Sequence, residues 1–197
     1  MKDKIRVQTK FISKNPLIQA VNKRFLSSIC ELAREAKVEK ILDCGCGEGI
    51  IVNYLSEKLF QIKFEGFDID QPSLDLAKRI NPKARFKKGS IYQIPYEAES
   101  FPLVLCTEVL EHLDSPERAL AEVRRVTAKQ AIISVPFEPL FRISNMLRLK
   151  YLKRLGNTPS HVNNWTSFGF KVLLRKYFII EKEFYPLPWM IFLVSKK

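Results

Sequence analysis

At 197 residues, 46% hydrophobic and 11% aromatic, the chain is long enough to bury a full core as one globular domain. No apolar run approaches the ~20 residues that cross a bilayer, and Met1-Lys2-Asp3-Lys4-Ile5-Arg6 lacks the apolar stretch of a signal peptide, so a span is excluded and a cytoplasmic location expected. Net charge is +12, and residues 139–180 hold eight Lys or Arg and no Asp or Glu; such a field draws an anionic partner (nucleic acid, phospholipid headgroups, a phosphorylated metabolite) or is simply a solvated basic face.

Residues 1–14 are basic and irregular and are expected to form an arm over the domain. Asn15-Pro16 reads as an N-cap followed by proline at the first helical position. Leu17, Val21, Phe25, Ile29, Leu32 and Ala36 then recur at helical spacing, so residues 1–36 comprise the arm and an opening helix packed on a sheet. Ile41-Leu42 close a short apolar strand that runs straight into Asp43-Cys44-Gly45-Cys46-Gly47-Glu48-Gly49, with helix resuming at Ile50. The three glycines supply a turn that bares its backbone, and its N–H groups and the positive end of the following helix are expected to face a ligand. A dinucleotide turn, G-x-G-x-x-G, needs a glycine where this chain has Ile50; here the third glycine is Gly49. Asp43 at the strand end would repel a pyrophosphate and suits a positively charged ligand.

A second strand, Ile62 to Asp70, ends in acid. Asp68 lies about one βαβ crossover beyond Asp43, where a strand-tip carboxylate can accept hydrogen bonds from both hydroxyls of a ribose. Asp70 is the alternative, although Pro72 assigns it to a helix cap. Helix follows to Ile80, then a short strand, Ala84 to Lys88, stopping at Gly89-Ser90-Ile91. The four cysteines, Cys30, Cys44, Cys46 and Cys106, lack the spacing of a metal site and read as reduced core thiols; no metal centre is expected. Ser100 to Cys106 is a fourth strand, leading into Thr107-Glu108-Val109-Leu110-Glu111-His112-Leu113 at its carboxyl end.

Asp43-x-Gly45-x-Gly47-x-Gly49, the strand-end Asp68 and the Glu108-Val109-Leu110-Glu111-His112-Leu113 run together resemble the class I S-adenosylmethionine-dependent methyltransferases. The last run is similar to that of the methyltransferase type 11 subgroup that includes quinone-biosynthesis enzymes. The resemblance covers nearly the whole chain. It implies an α/β, Rossmann-like three-layer sandwich with a seven-stranded, mostly parallel sheet of order 3-2-1-4-5-7-6 and one antiparallel strand. It implies S-adenosyl-L-methionine as cofactor and S-adenosyl-L-homocysteine as product, held by Asp43, Gly45, Cys46, Gly47 and Gly49, by Asp68 and Ile69, by Ser90 and Ile91, and by Thr107 and Glu108. Ser90 stands where the family often carries an Asp that reaches the adenine amine; its hydroxyl accepts more weakly than a carboxylate.

Ser115-Pro116-Glu117 opens a helix with Leu120, Val123 and Val126 inward, and Gln130 to Pro136 is the fifth strand. Residues 137–164 form a lid-like insertion over the substrate site. Within it Leu140, Ile143, Leu147 and Tyr151 make a helical stripe expected to pack on the domain, while Leu149 and Leu152 lie off it among basic residues, a composition that alternatively suits an anionic lipid or membrane surface. Trp165-Thr166-Ser167 caps a helix through Tyr177, and Phe178–Phe184 and Trp189–Val194 close the sheet.

Methyl transfer asks the protein chiefly for positioning. If a base is used, the candidates are His161, Glu138 and Glu108; His112, next to Leu110 and Leu113, is expected to be structural. The Asn-Pro-Pro-Tyr type motif for exocyclic amines of bases is missing, with Ser134-Val135-Pro136-Phe137 at that strand end, and no nucleic-acid module is present. The expected acceptor is therefore small or lipid-like, and the basic field of residues 139–180 suits an anionic one. The rivals are a nucleotide-linked reductase, an RNA methyltransferase, and a non-catalytic member of the fold that binds nucleic acid or membrane.

Overall fold

Strands covered on both faces need nearly continuous apolar runs, and the chain supplies them at β1 (Lys40–Cys44), β4 (Phe101–Thr107) and β5 (Thr127–Pro136). The computed structural model describes residues 15–197, so the arm expected over residues 1–14 lies outside the described residues. Helices α1 (Pro16–Glu35), α2 (Ile50–Ser56), α3 (Gln71–Ile80), α4 (Pro116–Val126), α5 (Leu140–Leu147) and α6 (Ser167–Leu174) alternate with these strands and with β2 (Lys63–Asp68), β3 (Arg85–Lys88), β6 (Phe178–Phe184) and β7 (Trp189–Lys196).

The strands form one sheet of order β3-β2-β1-β4-β5-β7-β6. β1 pairs in parallel with β2 (Asp43 opposite Gly66) and with β4 (Asp43 opposite Leu105), while β7 runs antiparallel to both β5 and β6. The expected order and the single reversed strand are both present. Side-chain alternation splits the core in two: Val104 and Cys106 point to the layer of Leu120, Val123 and Phe170, and Leu103 and Leu105 to the layer of Phe25, Ile29 and Leu32. All four cysteines are buried and free.

Local chemistry sets the helix starts. Asn15 Oδ1 accepts from the Leu17 amide at 2.9 Å, the cap expected for α1. Asp70 Oδ2 accepts from the Ser73 amide at 3.0 Å, so Asp70 is the α3 cap and Asp68 is left as the strand-tip acid. Boundaries move where tertiary pairing wins. β5 starts at Thr127 because Thr127 already pairs with Phe101 of β4, and α6 ends at Leu174, short of the expected Tyr177.

The lid departs furthest from expectation. Its helix α5 ends at Leu147, and Tyr151 has left it with φ +55°. The expected apolar stripe does not pack inward: Leu147 is 81% exposed and Ile143 46%. The face turned inward carries Asn145, which is buried, and Phe141, packed against the α1-side core. Polar groups hold the segment closed. Asn145 Nδ2 donates to the Gly156 carbonyl at 2.9 Å, Arg142 Nε to the Leu155 carbonyl at 3.0 Å, and the Arg142 amide to Glu138 Oε2 at 3.3 Å. With its backbone satisfied this way, the hairpin leaves its leucines to solvent.

Candidate cofactor and acceptor site

In an open parallel sheet the ligand crevice lies beyond the carboxyl ends of the strands, where the order reverses. Here that point is β1 and β4, with β2 alongside. The glycine turn leaves β1 with φ +70° at Gly45 and +73° at Gly49. At Gly45 a Cβ would stand 2.7 Å from Val109 Cγ2, and at Gly49 2.7 Å from Asn81 Nδ2, so glycine is required at both for conformation and for space. Asn81 Nδ2 also donates to the Gly49 carbonyl at 3.1 Å, tying the turn to the end of α3.

The turn spends its amides internally, which corrects the expectation that they face a ligand. Gly45 N and Cys46 N both donate to the Phe67 carbonyl (2.9 and 3.0 Å), Gly49 N to the Cys46 carbonyl (2.9 Å), and Gly47 N to Asp68 Oδ2 (2.8 Å). Asp68 Oδ1 accepts from the Asp70 amide at 2.9 Å. Two of the roughly four lone-pair sites of that carboxylate are thus used in orienting it, and two remain for hydroxyl donors.

Asp43 is 2% exposed, and its Oδ2 is buried without a hydrogen-bond partner. Burial, and after it the neighbouring charge of Asp68, pushes its carboxyl up to about 8. Asp43, with one oxygen unsatisfied, and the neighbouring Asp68 would both be met by a ligand with positive charge. The residues present therefore fit S-adenosylmethionine.

The other expected contacts lie on neighbouring tips. Ile69, just past β2, is 70% exposed and offers an apolar surface at the rim. Ile91 is buried, and Ser90 Oγ is already engaged, accepting from the Tyr92 amide at 3.2 Å. Thr107 ends β4, opposite Ser134 of β5. Glu108 follows with φ +59°, a strained position for a residue with a side chain. Its carboxylate receives Ser134 Oγ at 3.2 Å and Trp189 Nε1 at 2.6 Å, bridging β4 to β5 and β7.

Of the expected bases, Glu138 is buried beyond β5 and spends one oxygen on the Arg142 amide at the start of α5; burial raises its carboxyl above the ordinary range. His161 is half-buried between His112 and Phe141, with ring centroids 5.0 and 5.3 Å away. His112, expected to be structural, keeps 40% of its side chain exposed on a 3-10 turn, Leu110–His112. Thus the structure gathers Asp43, Asp68 and the glycine turn at one rim, and Glu108, His112 and His161 around the end of β4. Sequence reasoning missed Trp189, Ser134 and Asn81 as the groups that fix Glu108 and Gly49; a buried indole N–H must find an acceptor, but which one is a tertiary fact.

The seven-stranded order, with a glycine turn and two acids at its switch point, defines the fold of the class I methyltransferases. Residues 42–135 match the family described as "Methyltransferase domain". A Methanocaldococcus jannaschii protein of uncharacterised function is 38% identical over 136 residues, 68% of this chain and 55% of its own length. The ubiquinone biosynthesis O-methyltransferase of Candida albicans is 35% identical over 89 residues, 42% of this chain and 27% of that protein. The crystal structure of magnesium protoporphyrin IX methyltransferase from Synechocystis, with S-adenosylhomocysteine bound, superposes with a TM-score of 0.72 at 15% identity, over 94% of this chain and 89% of that one. The chain thus carries a match to a methyltransferase domain over residues 42–135, set in the class I methyltransferase fold. It spans about half or less of the length of the two curated relatives just described, and the likeness to the quinone-biosynthesis subgroup is loose.

Proposed function

We propose that this protein transfers a methyl group from S-adenosylmethionine to a small or lipid-like acceptor. The observation that carries the reading is Asp43: a buried carboxylate with an unsatisfied oxygen, on a glycine turn that Asp68 braces from the next strand. When bound, the cofactor supplies an electrophilic methyl group on a sulfonium. Asp43 and Asp68 offer it negative charge, Asp68 and Ser90 accept its hydroxyl and amine hydrogens, and Ile69 and Ile91 flank its apolar ring. Cys46, Gly47, Thr107 and Glu108 complete the wall. Holding donor and nucleophile aligned can supply roughly 7–11 kcal/mol of the barrier, so positioning carries most of the catalysis. Glu138, whose carboxyl burial raises above the ordinary range, and His161 are the candidate bases.

Residues 137–164 are read as the acceptor cover. Exposed Leu147, Leu149 and Leu155 stand among Arg148, Lys150, Lys153 and Arg154, a surface that suits an anionic lipid-like acceptor or the membrane that holds it. No helix among the described residues is long and apolar enough to cross a membrane, so the contact proposed is peripheral, from the cytoplasm. Titration calorimetry tests the central reading: S-adenosylmethionine binds and NADH does not. Heat with NADH alone would replace methyl transfer by nucleotide-linked redox chemistry, and heat with neither would leave a non-catalytic binding module.

A further inference from the structure

The 3-10 turn after β4 is clasped by the C-terminal end of the lid. The amides of Val162 and Asn163 both donate to the Glu111 carbonyl, at 2.9 and 3.1 Å. Asn163 Nδ2 donates to the carbonyls of Leu110 and Leu113, at 3.3 and 2.6 Å. This clasp carries His161 over the turn, where one ligand atom from each of Glu111, His112 and His161 lies within 4.8 Å of the others.

The tautomer of His112 is set from the same segment. Its Nδ1 lies 2.8 Å from the Ser160 carbonyl oxygen. A carbonyl only accepts, so Nδ1 carries the hydrogen and the neutral ring presents a lone pair at Nε2. That lone pair faces Glu111 Oε1 at 3.8 Å, beyond hydrogen-bond reach, and the Glu111 side chain is 1% exposed. Two electron-pair donors facing each other at this distance leave room for a positive ion. An imidazole whose far N–H is held by a backbone carbonyl is also the arrangement that orients metal-bound histidines.

We propose that Glu111, His112 and His161 form a divalent transition-metal site, with open coordination positions that take an oxygen of the methyl acceptor. Two imidazoles and one carboxylate are the ligand set of catalytic zinc centres that keep a position open, and of non-haem iron sites. Metal–ligand bonds of about 2.0–2.2 Å would draw the three atoms together by roughly 1 Å. Half-exposed His112 and lid-borne His161 can supply that movement by ring rotation. A hydroxyl coordinated to such an ion releases its proton to water at lower pH, which assigns the acceptor an oxygen nucleophile. That assignment rests on the methyl-transfer reading; metal binding does not. Only cysteine spacing bears on a metal in the sequence, and these ligands come together through the clasp instead.

The test uses the full chain without an affinity tag, stripped with EDTA and titrated with ZnCl2 and CoCl2. One equivalent of each binds, cobalt gives visible absorption bands, and added catechol shifts them. Glu111→Gln, His112→Ala and His161→Ala each weaken zinc binding by roughly tenfold or more. If Glu111→Gln fails to fold by circular dichroism, the two histidine variants decide. No stoichiometric binding, or wild-type zinc affinity in both histidine variants, overturns the site. A cobalt spectrum indifferent to catechol overturns the acceptor-oxygen assignment. Calorimetry with S-adenosylmethionine on the same stripped protein separates the two readings. Cofactor binding without zinc binding sinks the metal site alone, and zinc binding without cofactor binding sinks methyl transfer alone.

Discussion

The crevice at the tips of β1 and β2 and the lid over residues 137–164 answer to different physics. In the crevice every backbone amide named above is spent, each of two glycines sits where a Cβ would collide, and an acid is buried with an oxygen to spare. Its shape is fixed before any ligand arrives. The lid closes on side-chain-to-carbonyl bonds from Arg142 and Asn145, and turns its leucines outward. Preorganisation favours one small charged ligand; an apolar and basic exterior favours an extended, soft one. The contrast separates cofactor recognition, built into the sheet, from acceptor recognition, built onto it.

The largest expected effect breaks that division at the lid. Replacing Arg148, Lys150, Lys153 and Arg154 together by Gln should remove about 1 kcal/mol of attraction to an anionic bilayer per charge, so binding to phosphatidylserine vesicles in a sedimentation assay falls by about three orders of magnitude. S-adenosylmethionine affinity should not move. Equal vesicle binding by the variant would remove the membrane from the reading, and a parallel loss of cofactor affinity would mean that the two regions are not separate. Next comes Asp68→Ala. It takes away the acceptor of the Gly47 amide at 2.8 Å and of the Asp70 amide at 2.9 Å as well as the ribose contacts. Cofactor binding should weaken by about 1–3 kcal/mol in calorimetry, with vesicle binding intact.

The same division marks what the sequence made legible. Helix caps at Asn15 and Asp70, and the gathering of Asp43, Asp68 and three glycines, follow from short-range rules: period, turn conformation, and the spacing of one crossover; the strand order came only through the family resemblance that those motifs carry. The fate of the glycine amides did not follow, because Phe67 and Asp68 reach them from the next strand. Nor did the lid. Leu140, Ile143, Leu147 and Tyr151 have helical spacing, but spacing says only that a face exists, not that a core lies beneath it. Asn145 decided the inward face by bonding to Gly156, eleven residues on, and no local pattern announces that partner. In the sequence Glu111 reads only as part of the family-like run and not as a ligand for the same reason, since the segment that clasps its carbonyl lies some fifty residues away.

Within the crevice, pH offers a sharper probe. Asp43 keeps its proton up to about 8 in the folded apo chain, whereas the unfolded chain loses it near the ordinary value of 3.8. Between those values the folded state holds more protons than the unfolded, so stability falls as pH rises through the window. A bound cation favours the ionised acid, so binding releases a proton, and affinity for S-adenosylmethionine should climb with pH up to about 8, by at most tenfold, or ~1.4 kcal/mol, per pH unit. Asp43→Asn should flatten both trends. It should unfold at a higher temperature than the wild type at pH 8 while binding the cofactor more weakly at every pH. A wild-type affinity that does not change between pH 6 and pH 8 would detach Asp43 from the cationic ligand.

The smallest expected effect lies at the lid's leucines and is the one most specific to it. Leu147 is 81% exposed and Leu149 79%, so neither gives up much water on folding, and Leu147→Ser with Leu149→Ser should change unfolding free energy by no more than about 0.5 kcal/mol. A core leucine of equal size, Leu120 or Leu105, would cost about 2–5 kcal/mol on truncation to alanine. If the two lid leucines are retained for stability, denaturant midpoints will shift on their replacement, and the segment packs on something the exposed surface does not reveal. If they serve a lipid-like acceptor, the midpoints stay put and vesicle binding falls. Because the basic side chains remain in this double variant, any loss of vesicle binding measures insertion of apolar groups, separate from the electrostatic attraction that the quadruple charge variant removes.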